Sequence, residues 1–244
     1  MPGVSGLIRV GHKGADHVAP GNTIESFEAA LEHGVDMIEF DVLRTRAGEL
    51  VLAHDYEDAG SRACLTLAEG LDHFAGAAYA GVELDVDMKL PGYEREVAEG
   101  LGQRGLSERS LVSTMYTESL DRLGELAPGL RRGWSVPRVR RDYTRSALAL
   151  PAYAVARVWR ARLPGQAAAR IRAGGCEAVM AHRILVSRRL VQAVHAAGGQ
   201  VYVWTVDDAA RIRALEALGV DGVITNDPRL FGDDSRRLTP RDLS

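Results

Sequence analysis

Short apolar runs alternate along the chain with longer stretches in which apolar residues recur every three or four positions. The first pattern predicts buried strands and the second predicts amphipathic helices. We expect strands at Leu7–Gly11, Met37–Leu43, Val82–Met88, Ser110–Thr114, Leu130–Val136, Ala178–Ala181, Gln200–Val206 and Gly222–Thr225. We expect helices at residues 23–33, 93–104, 118–126, 187–197 and 208–218. Roughly eight strands alternating with helices in about 250 residues predict an α/β fold with a single (β/α)8 TIM barrel, and a doubly wound open sheet is the alternative.

Glycine recurs where a helix gives way to a strand. Gly34-Val35-Asp36, Gly81-Val82-Glu83 and Gly219-Val220-Asp221 all precede or begin a predicted strand. This recurrence is typical of a repeated strand–helix unit.

The stretch after the second strand departs from the repeat. A short extended piece at residues 50–53 is followed by residues 56–80, which look like a short insertion with one helix starting near Thr66. Residues 1–231 are therefore taken as the barrel, and residues 232–244 as a polar C-terminal tail.

The second departure is an alanine-rich helical stretch between residues 138 and 174. Proline predicts an interruption at Pro151 and an end at Pro164-Gly165. Its apolar residues stand among several arginines, which allows two interpretations: an outer helix packed on the barrel, or a helix with weak contact to a membrane surface. The apolar residues in question are Leu150, Tyr153, Val158 and Trp159.

Two acids occupy the second predicted strand. Because side chains alternate along a strand, Glu39 and Asp41 face one side while their apolar neighbours face the other. They are separated by roughly 7 Å along the strand, close enough to share one cation with a third ligand. A solvated polar face is the alternative. The next strand places Glu83, Asp85 and Asp87 on a common face.

The overall composition excludes several classes of protein. The chain has 244 residues, of which 46% are hydrophobic and 26% charged, as in ordinary globular proteins. Its net charge of −3 argues against a general nucleic-acid binder. Cys64 and Cys176 match neither a zinc nor a redox spacing, and the N-terminus lacks a signal-peptide pattern, so we expect free thiols and a cytoplasmic location.

A set of short motifs runs in order along almost the whole predicted barrel. They are G-H-K-G at residues 11–14, A-P-G-N-T at 19–23, E-F-D-V at 39–42, H-D at 54–55, D-M-K at 87–89, V-W-T-V at 203–206 and I-T-N-D-P at 224–228. Taken together they resemble the glycerophosphodiester phosphodiesterase family, within a wider group that includes sphingomyelinase-D-like enzymes.

The resemblance implies a hydrolase that cleaves glycerophosphodiesters into an alcohol and glycerol 3-phosphate, small-molecule chemistry that belongs to lipid and glycerol metabolism. It places a divalent cation, Mg²⁺ or Ca²⁺, on Glu39, Asp41 and Asp87, and acid–base catalysis on His12 and His54. Oxygen ligands suit such a cation, and imidazoles titrate near neutral pH. In the family the attacking group is often the substrate's own hydroxyl, which gives a cyclic phosphate; whether that intermediate forms here stays open.

Four further residues are predicted to contact substrate. Lys13 and Lys89 would add positive charge around the phosphate. Trp204 would form a wall for the alcohol moiety, with core packing as the alternative, and His182 ends a strand at the barrel mouth. Asn226, after the last strand, is interpreted as capping a turn. The oligomeric state is left open.

Three departures from the family pattern widen the choice of function. Lysine stands at position 13 where arginine is usual, Gly21 replaces the glutamate of P-E-N-T, and Asp87 replaces a glutamate. Asp85 and Glu83 remain alternative ligands, although Asp87 is nearest to the mouth. The other functions considered are a phospholipase-D-like activity on lysophospholipids and a non-catalytic phosphate or polyol binder.

Overall fold

The computed structural model describes residues 6–138 and 149–232, with only the backbone described for residues 149–156. Nine strands occur within these ranges: β1 (Ile8–Gly11), β2 (Met37–Arg44), β3 (Leu50–Val51), β4 (Glu83–Met88), β5 (Ser110–Thr114), β6 (Arg131–Val136), β7 (Ala178–His182), β8 (Gln200–Trp204) and β9 (Gly222–Thr225). The helices are α1 (Ile24–Glu32), α2 (Tyr56–Ser61), α3 (Leu67–Phe74), α4 (Glu94–Gln103), α5 (Thr117–Leu126), α6 (Ala149–Arg172), α7 (Arg188–His195) and α8 (Ala209–Leu218).

Eight of these strands form a closed parallel barrel. Their order is β1-β9-β8-β7-β6-β5-β4-β2, and parallel pairing between β1 and β2 closes the ring. The strand β3 is antiparallel to the end of β2 and lies outside the ring. The expected (β/α)8 TIM barrel is thus confirmed. The carboxyl-terminal ends of all eight strands lie at one face of the barrel, which we call the mouth.

Apolar side chains fill the barrel and the layer between strands and helices. The barrel interior is occupied by Val10, Met37, Leu111, Met180, Tyr202 and Ile224. Outside it, a cluster centred on Phe27, Phe40 and Phe74 packs α1 and α3 against β2, with the rings of Phe40 and Phe74 stacked at 5.1 Å. Because this cluster buries the outer face of β2, the face of the strand that carries Glu39 and Asp41 points into the barrel.

Two elements differ from the expectation. The stretch 56–80 is more than an insertion: α2 is the added piece, whereas α3 is a helix of the barrel repeat, capped by Thr66 and buried through Leu71 and Phe74. The helix α6 does not end at Pro164-Gly165 but continues to Arg172. A proline costs the helix one hydrogen bond, and burial of Leu163, Ala167 and Ala168 in the core offsets that loss.

Residues 233–244, which make up all but the first residue of the expected polar tail, lie outside the described residues. Among the helices in the described ranges, none is both long enough and apolar enough to cross a lipid bilayer.

Candidate active site

Three carboxylates meet at the mouth end of β2 and β4. Parallel pairing aligns Asp41 with Asp87, and alternation puts Glu39 on the same face of β2. One oxygen from each of Glu39, Asp41 and Asp87 lies within 4.8 Å of the other two. Two ligand atoms bound to one Ca²⁺ at about 2.4 Å are at most about 4.8 Å apart, so this spacing fits a single hard cation.

The ammonium of Lys89 lies among these carboxylates. Its Nζ is 2.5 Å from Asp41 Oδ1 and 2.6 Å from Asp87 Oδ2. Burial alone would lower the pKa of Lys89, but the charges of Asp41 and Asp87 outweigh burial and hold that pKa well above its usual value. In the same way burial would raise the pKa of Asp41, and Lys89 more than reverses this and holds it below its usual value. Lysine and aspartate are therefore both charged near neutral pH.

Negative charge remains in excess despite this lysine. Burial, reinforced by the charge of Asp41, raises the pKa of Glu39 well above its usual value. With all three acids ionised the cluster and Lys89 would carry a formal charge of −2, which a divalent cation would balance. The donor set thus fits an oxygen-liganded Mg²⁺ or Ca²⁺ on charge as well as on spacing.

The other acids of β4 lie closer to the base of the barrel. Asp85 pairs in register with Glu39, one pleat below Asp87, and burial raises its pKa to about 8. Glu83 forms an ion pair with Arg131 at 2.8 Å. The cluster at the mouth therefore takes its β4 carboxylate from Asp87.

His12, directly after β1, is held by the last strand of the barrel. Its Nδ1 is 2.5 Å from Asn226 Oδ1. The Asn226 Nδ2 donates to Asp207 at 2.7 Å, which orients the amide so that its oxygen faces the imidazole. His12 Nδ1 is accordingly the protonated nitrogen, and Nε2, 3.9 Å from Glu39 Oε2, keeps its lone pair toward the acidic cluster.

The protonation state of His12 follows from its surroundings. Burial is the main reason that the pKa of His12 lies below its usual value, while the negative charge of Asp41 opposes the shift and the positive charge of Lys13 adds to it. The imidazole is therefore neutral near pH 7 and able to accept a proton at Nε2.

His54 stands in a cleft of about 410 Å³ beside the acidic cluster. Asp55 Oδ2 lies 3.1 Å from its Nδ1, and Asp58 accepts a hydrogen bond from its backbone N–H at 3.0 Å. Lys13 and Arg62 also line this cleft. The side chain of His54 is 51% exposed, whereas that of His12 is 20% exposed.

The loop after β1 is built around backbone contacts. Lys13 adopts a left-handed backbone conformation with φ of 51°, and its N–H donates to Glu39 Oε2 at 2.8 Å. The buried hydroxyl of Ser26 donates to the carbonyl of Lys13 at 2.7 Å and accepts from the N–H of Ala15 at 2.7 Å. Gly14 has φ of 86°, and a Cβ there would lie 2.6 Å from the backbone of Ser26, so only glycine fits. The loop thereby fixes one oxygen of Glu39.

Asn22 orients Asp41 from the same loop. Its Nδ2 donates to Asp41 Oδ2 at 2.9 Å, and its Oδ1 accepts from the backbone N–H of Asp41 at 3.0 Å. Neither asparagine contact was predicted from the sequence, where Asn226 was interpreted only as capping a turn; the cap of α1 is Thr23. The available signal was that each asparagine falls inside one of the quoted motifs.

Asp16 fills the space beside Gly21. Its Oδ1 accepts from the Gly21 N–H at 2.9 Å, and its Oδ2 lies 3.7 Å from Lys13 Nζ. A Cβ at position 21 would lie 2.5 Å from Asp16 Oδ1 and 2.8 Å from the Lys13 side chain. Asp16 thus places a carboxylate in the space that a side chain at position 21 would occupy.

Trp204 and His182 lie on the far side of the ring, at the ends of β8 and β7. Their rings are 5.0 Å apart in an edge-to-face arrangement. Trp204 Nε1 donates to the carbonyl of Met180 at 2.7 Å, and Arg183 Nη1 is 3.1 Å from His182 Nε2. The pair faces β2 and β4 across the mouth, because β7 and β8 are opposite those strands in the barrel order.

Comparison with known proteins identifies the family. The model of the glycerophosphoryl diester phosphodiesterase family matches residues 12–88 and 132–230, and so most of the chain. The protein belongs to this family. The resemblance stated from the motifs is thereby confirmed, and with it the expectation of an enzyme of this family.

Individual members of the family match over nearly their full length. The glycerophosphodiester phosphodiesterase of Caldanaerobacter subterraneus subsp. tengcongensis is 25% identical, with 90% of this chain and 93% of the relative covered. The crystal structure of a glycerophosphodiester phosphodiesterase from Parabacteroides distasonis superposes with a TM-score of 0.70 at 18% identity, covering 91% and 94% of the two chains. An Oleispira antarctica phosphodiesterase, solved with the product sn-glycerol-3-phosphate, gives 0.67 at 21% identity, covering 91% and 93%.

Proposed function

We propose that the protein hydrolyses glycerophosphodiesters to an alcohol and glycerol 3-phosphate, using a divalent cation and two histidines. The observation that carries this proposal is the position of His12, whose Nε2 faces a cluster of three carboxylates at the barrel mouth. Family membership and the glycerol 3-phosphate in the Oleispira structure support the choice of substrate.

Glu39, Asp41 and Asp87 would hold the cation, Mg²⁺ or Ca²⁺, which when bound would neutralise a phosphodiester oxygen and acidify the attacking hydroxyl. Asn22 and the backbone N–H of Lys13 orient two of these carboxylates before substrate arrives. Lys13 and Lys89 supply positive charge for the remaining phosphate oxygens.

Proton transfer is divided between the histidines. Neutral His12 accepts a proton at Nε2 from the attacking hydroxyl, while Asn226 holds its Nδ1–H. His54, paired with Asp55, protonates the oxygen of the departing alcohol. Over the full reaction one P–O bond to the alcohol breaks, one P–O bond to oxygen from water forms, and the two protons of water end on the two products.

The test is turnover of glycerophosphocholine, glycerophosphoethanolamine and glycerophosphoglycerol with and without a chelator. We expect activity that chelation abolishes and Mg²⁺ or Ca²⁺ restores, and a loss of at least about 10²-fold in His12→Ala and His54→Ala. His33→Ala, on an exposed histidine at the end of α1, is the matched control and should retain full activity. Turnover that persists in the chelator would remove the cation from the proposal, and binding without product would favour a phosphate or polyol binder.

Cleavage of lysophospholipids is the second candidate. It is favoured by the cleft of about 410 Å³ around Lys13 and His54. Lysophosphatidylcholine and lysophosphatidylglycerol therefore belong in the same assay. Turnover of these lipids above that of the deacylated diesters would make this the main activity.

A further inference from the structure

The helix α6 is much longer than its counterparts in the barrel. It has 24 residues, whereas α4 and α8 have 10 and α7 has 8. At 1.5 Å per residue α6 is about 36 Å long and its neighbours are roughly 12–15 Å. More than half of α6 therefore exceeds the length that the barrel needs.

The surplus lies toward the mouth. The buried residues Leu163, Ala167 and Ala168 attach the C-terminal part of α6 to the core, and from Leu163 to Arg172 it matches the length of its neighbours. In a parallel barrel each helix runs opposite to the strands, so its N-terminal end is at the mouth side. We call residues 149–162 the α6 extension; its length of about 21 Å is added at the face that carries the carboxylate cluster.

The α6 extension combines positive charge with apolar residues. It contains three arginines, no acidic residue and otherwise only apolar residues, in a chain whose net charge is −3. Arg157, Arg160 and Arg162 are exposed, and Val158 between them is 52% exposed. Trp159 is half-buried and packs against the outer core, which fixes this turn of the helix on the barrel.

We propose that the α6 extension docks the protein on an anionic lipid bilayer, with the barrel mouth beside the membrane surface. The exposed guanidinium groups of Arg157, Arg160 and Arg162 suit anionic headgroups, and Val158, exposed beside them, suits the boundary with the acyl chains. Binding of a nucleic acid through its phosphates alone would not require the exposed Val158 beside the arginines. The docking is independent of the hydrolysis proposed above, because none of these residues touches the carboxylate cluster.

Co-sedimentation of the full chain with vesicles tests this inference. Vesicles of phosphatidylcholine alone are compared with vesicles that also contain phosphatidylglycerol, at low and at high salt. We expect binding to the anionic vesicles only, weakened by salt. The variant R157E/R160E/R162E should lose binding by at least about tenfold. The variant R122E/R172E/R213E, with the same change of charge at exposed positions away from the mouth-side ends of α5, α6 and α8, should bind like the wild type.

Val158→Asp provides a second variant that keeps all three arginines, and it should weaken binding to a lesser degree. The melting temperature, measured for every variant, separates loss of docking from loss of folding. Equal binding by the wild type and R157E/R160E/R162E would overturn the proposal, as would absence of binding to anionic vesicles. Tighter binding to an RNA homopolymer than to the vesicles would also overturn it.

Discussion

The ammonium of Lys89 would compete with a metal ion for the carboxylates of Asp41 and Asp87. It contacts two of the three carboxylates that would hold the cation, yet it also supplies charge for the phosphate. The side chain thus keeps the cluster from carrying its full negative charge when no cation is bound, and it opposes binding of the cation through like charge.

Replacing this lysine should separate the two effects. In Lys89→Met we expect the affinity for Ca²⁺ or Mg²⁺ to rise by about tenfold, because one positive charge beside the site is removed. Diester turnover should fall in the same variant. Isothermal titration with the metal alone measures the first effect, and Lys13→Met, whose Nζ is paired with Asp16, is the comparison. Weaker metal binding in Lys89→Met would contradict the competition.

Asn226 fixes the orientation and the tautomer of His12, so its replacement should affect this histidine most directly. Asn226→Leu removes the acceptor of the Nδ1–H and leaves the ring free to take the other tautomer, so kcat should fall by about 10–100-fold with little change in KM. Steady-state kinetics give this split. Asp208→Asn, which weakens the cap of α8 without touching Asn226, is the control, and an equal loss there would point to general damage of this end of the barrel.

The ion pair between Asp58 and Arg62 gives a pH-dependent contribution to stability. Burial would raise the pKa of Asp58, but the hydrogen bonds from Arg62 and from the His54 N–H outweigh it, so this pKa lies below its ordinary value of 3.8. A lowered carboxyl pKa stabilises the folded state above the ordinary value, and the contribution is lost as the pH falls through the lowered pKa.

We therefore expect Asp58→Asn to reduce the free energy of unfolding by about 1 kcal/mol at neutral pH and by a smaller amount at pH 2, because the contribution is lost as the pH falls below 3.8. Urea denaturation at the two pH values measures the difference. Glu57→Gln removes an exposed neighbouring acid and should change neither value. The same loss at both pH values would show that the ionised form of Asp58 is not what stabilises this turn.

At the scale of elements, period-two alternation predicted the acidic faces of β2 and β4 because both strands are buried on their other side. It also placed His12 and His54 after strand ends. Alternation could not predict the hydrogen bonds of Asn22 with Asp41 and of Asn226 with His12, because each joins segments that are distant in sequence. The continuation of α6 through Pro164 was missed because local propensity does not register the burial of Leu163.

The two parts of α6 should respond differently to truncation of their side chains. Leu163→Ala removes a fully buried side chain and should cost about 2–5 kcal/mol of stability, whereas Val158→Ala on the extension should stay within about 0.5 kcal/mol. Denaturant unfolding gives both values. A large cost at Val158 would mean that this side chain is packed against the protein and is not available for docking.

For the molecule as a whole, the carboxylate cluster couples cation binding to stability. Glu39 and Asp41 are buried, and the pKa of Glu39 is raised first by burial and then by the charge of Asp41, so the ionised form of Glu39 destabilises the folded state when no cation is bound. A ligand that binds only the folded state stabilises it in proportion to its occupancy.

Saturating Ca²⁺ or Mg²⁺ should accordingly raise the melting temperature by about 2–6 °C, and chelation should reverse the rise. In Glu39→Gln the response should disappear while the melting temperature without metal stays the same or increases. Glu28→Gln, on the exposed side of α1, should leave the response intact. An undiminished response in Glu39→Gln would place the cation elsewhere.

The hydrogen bond between His12 and Asn226 spans 214 positions of the chain. During synthesis the histidine therefore leaves the ribosome well before its partner does. A nascent chain that ends after β4 contains all three carboxylates but not the asparagine that aligns the imidazole. The proposed catalytic arrangement therefore forms only after β9 has paired with β1.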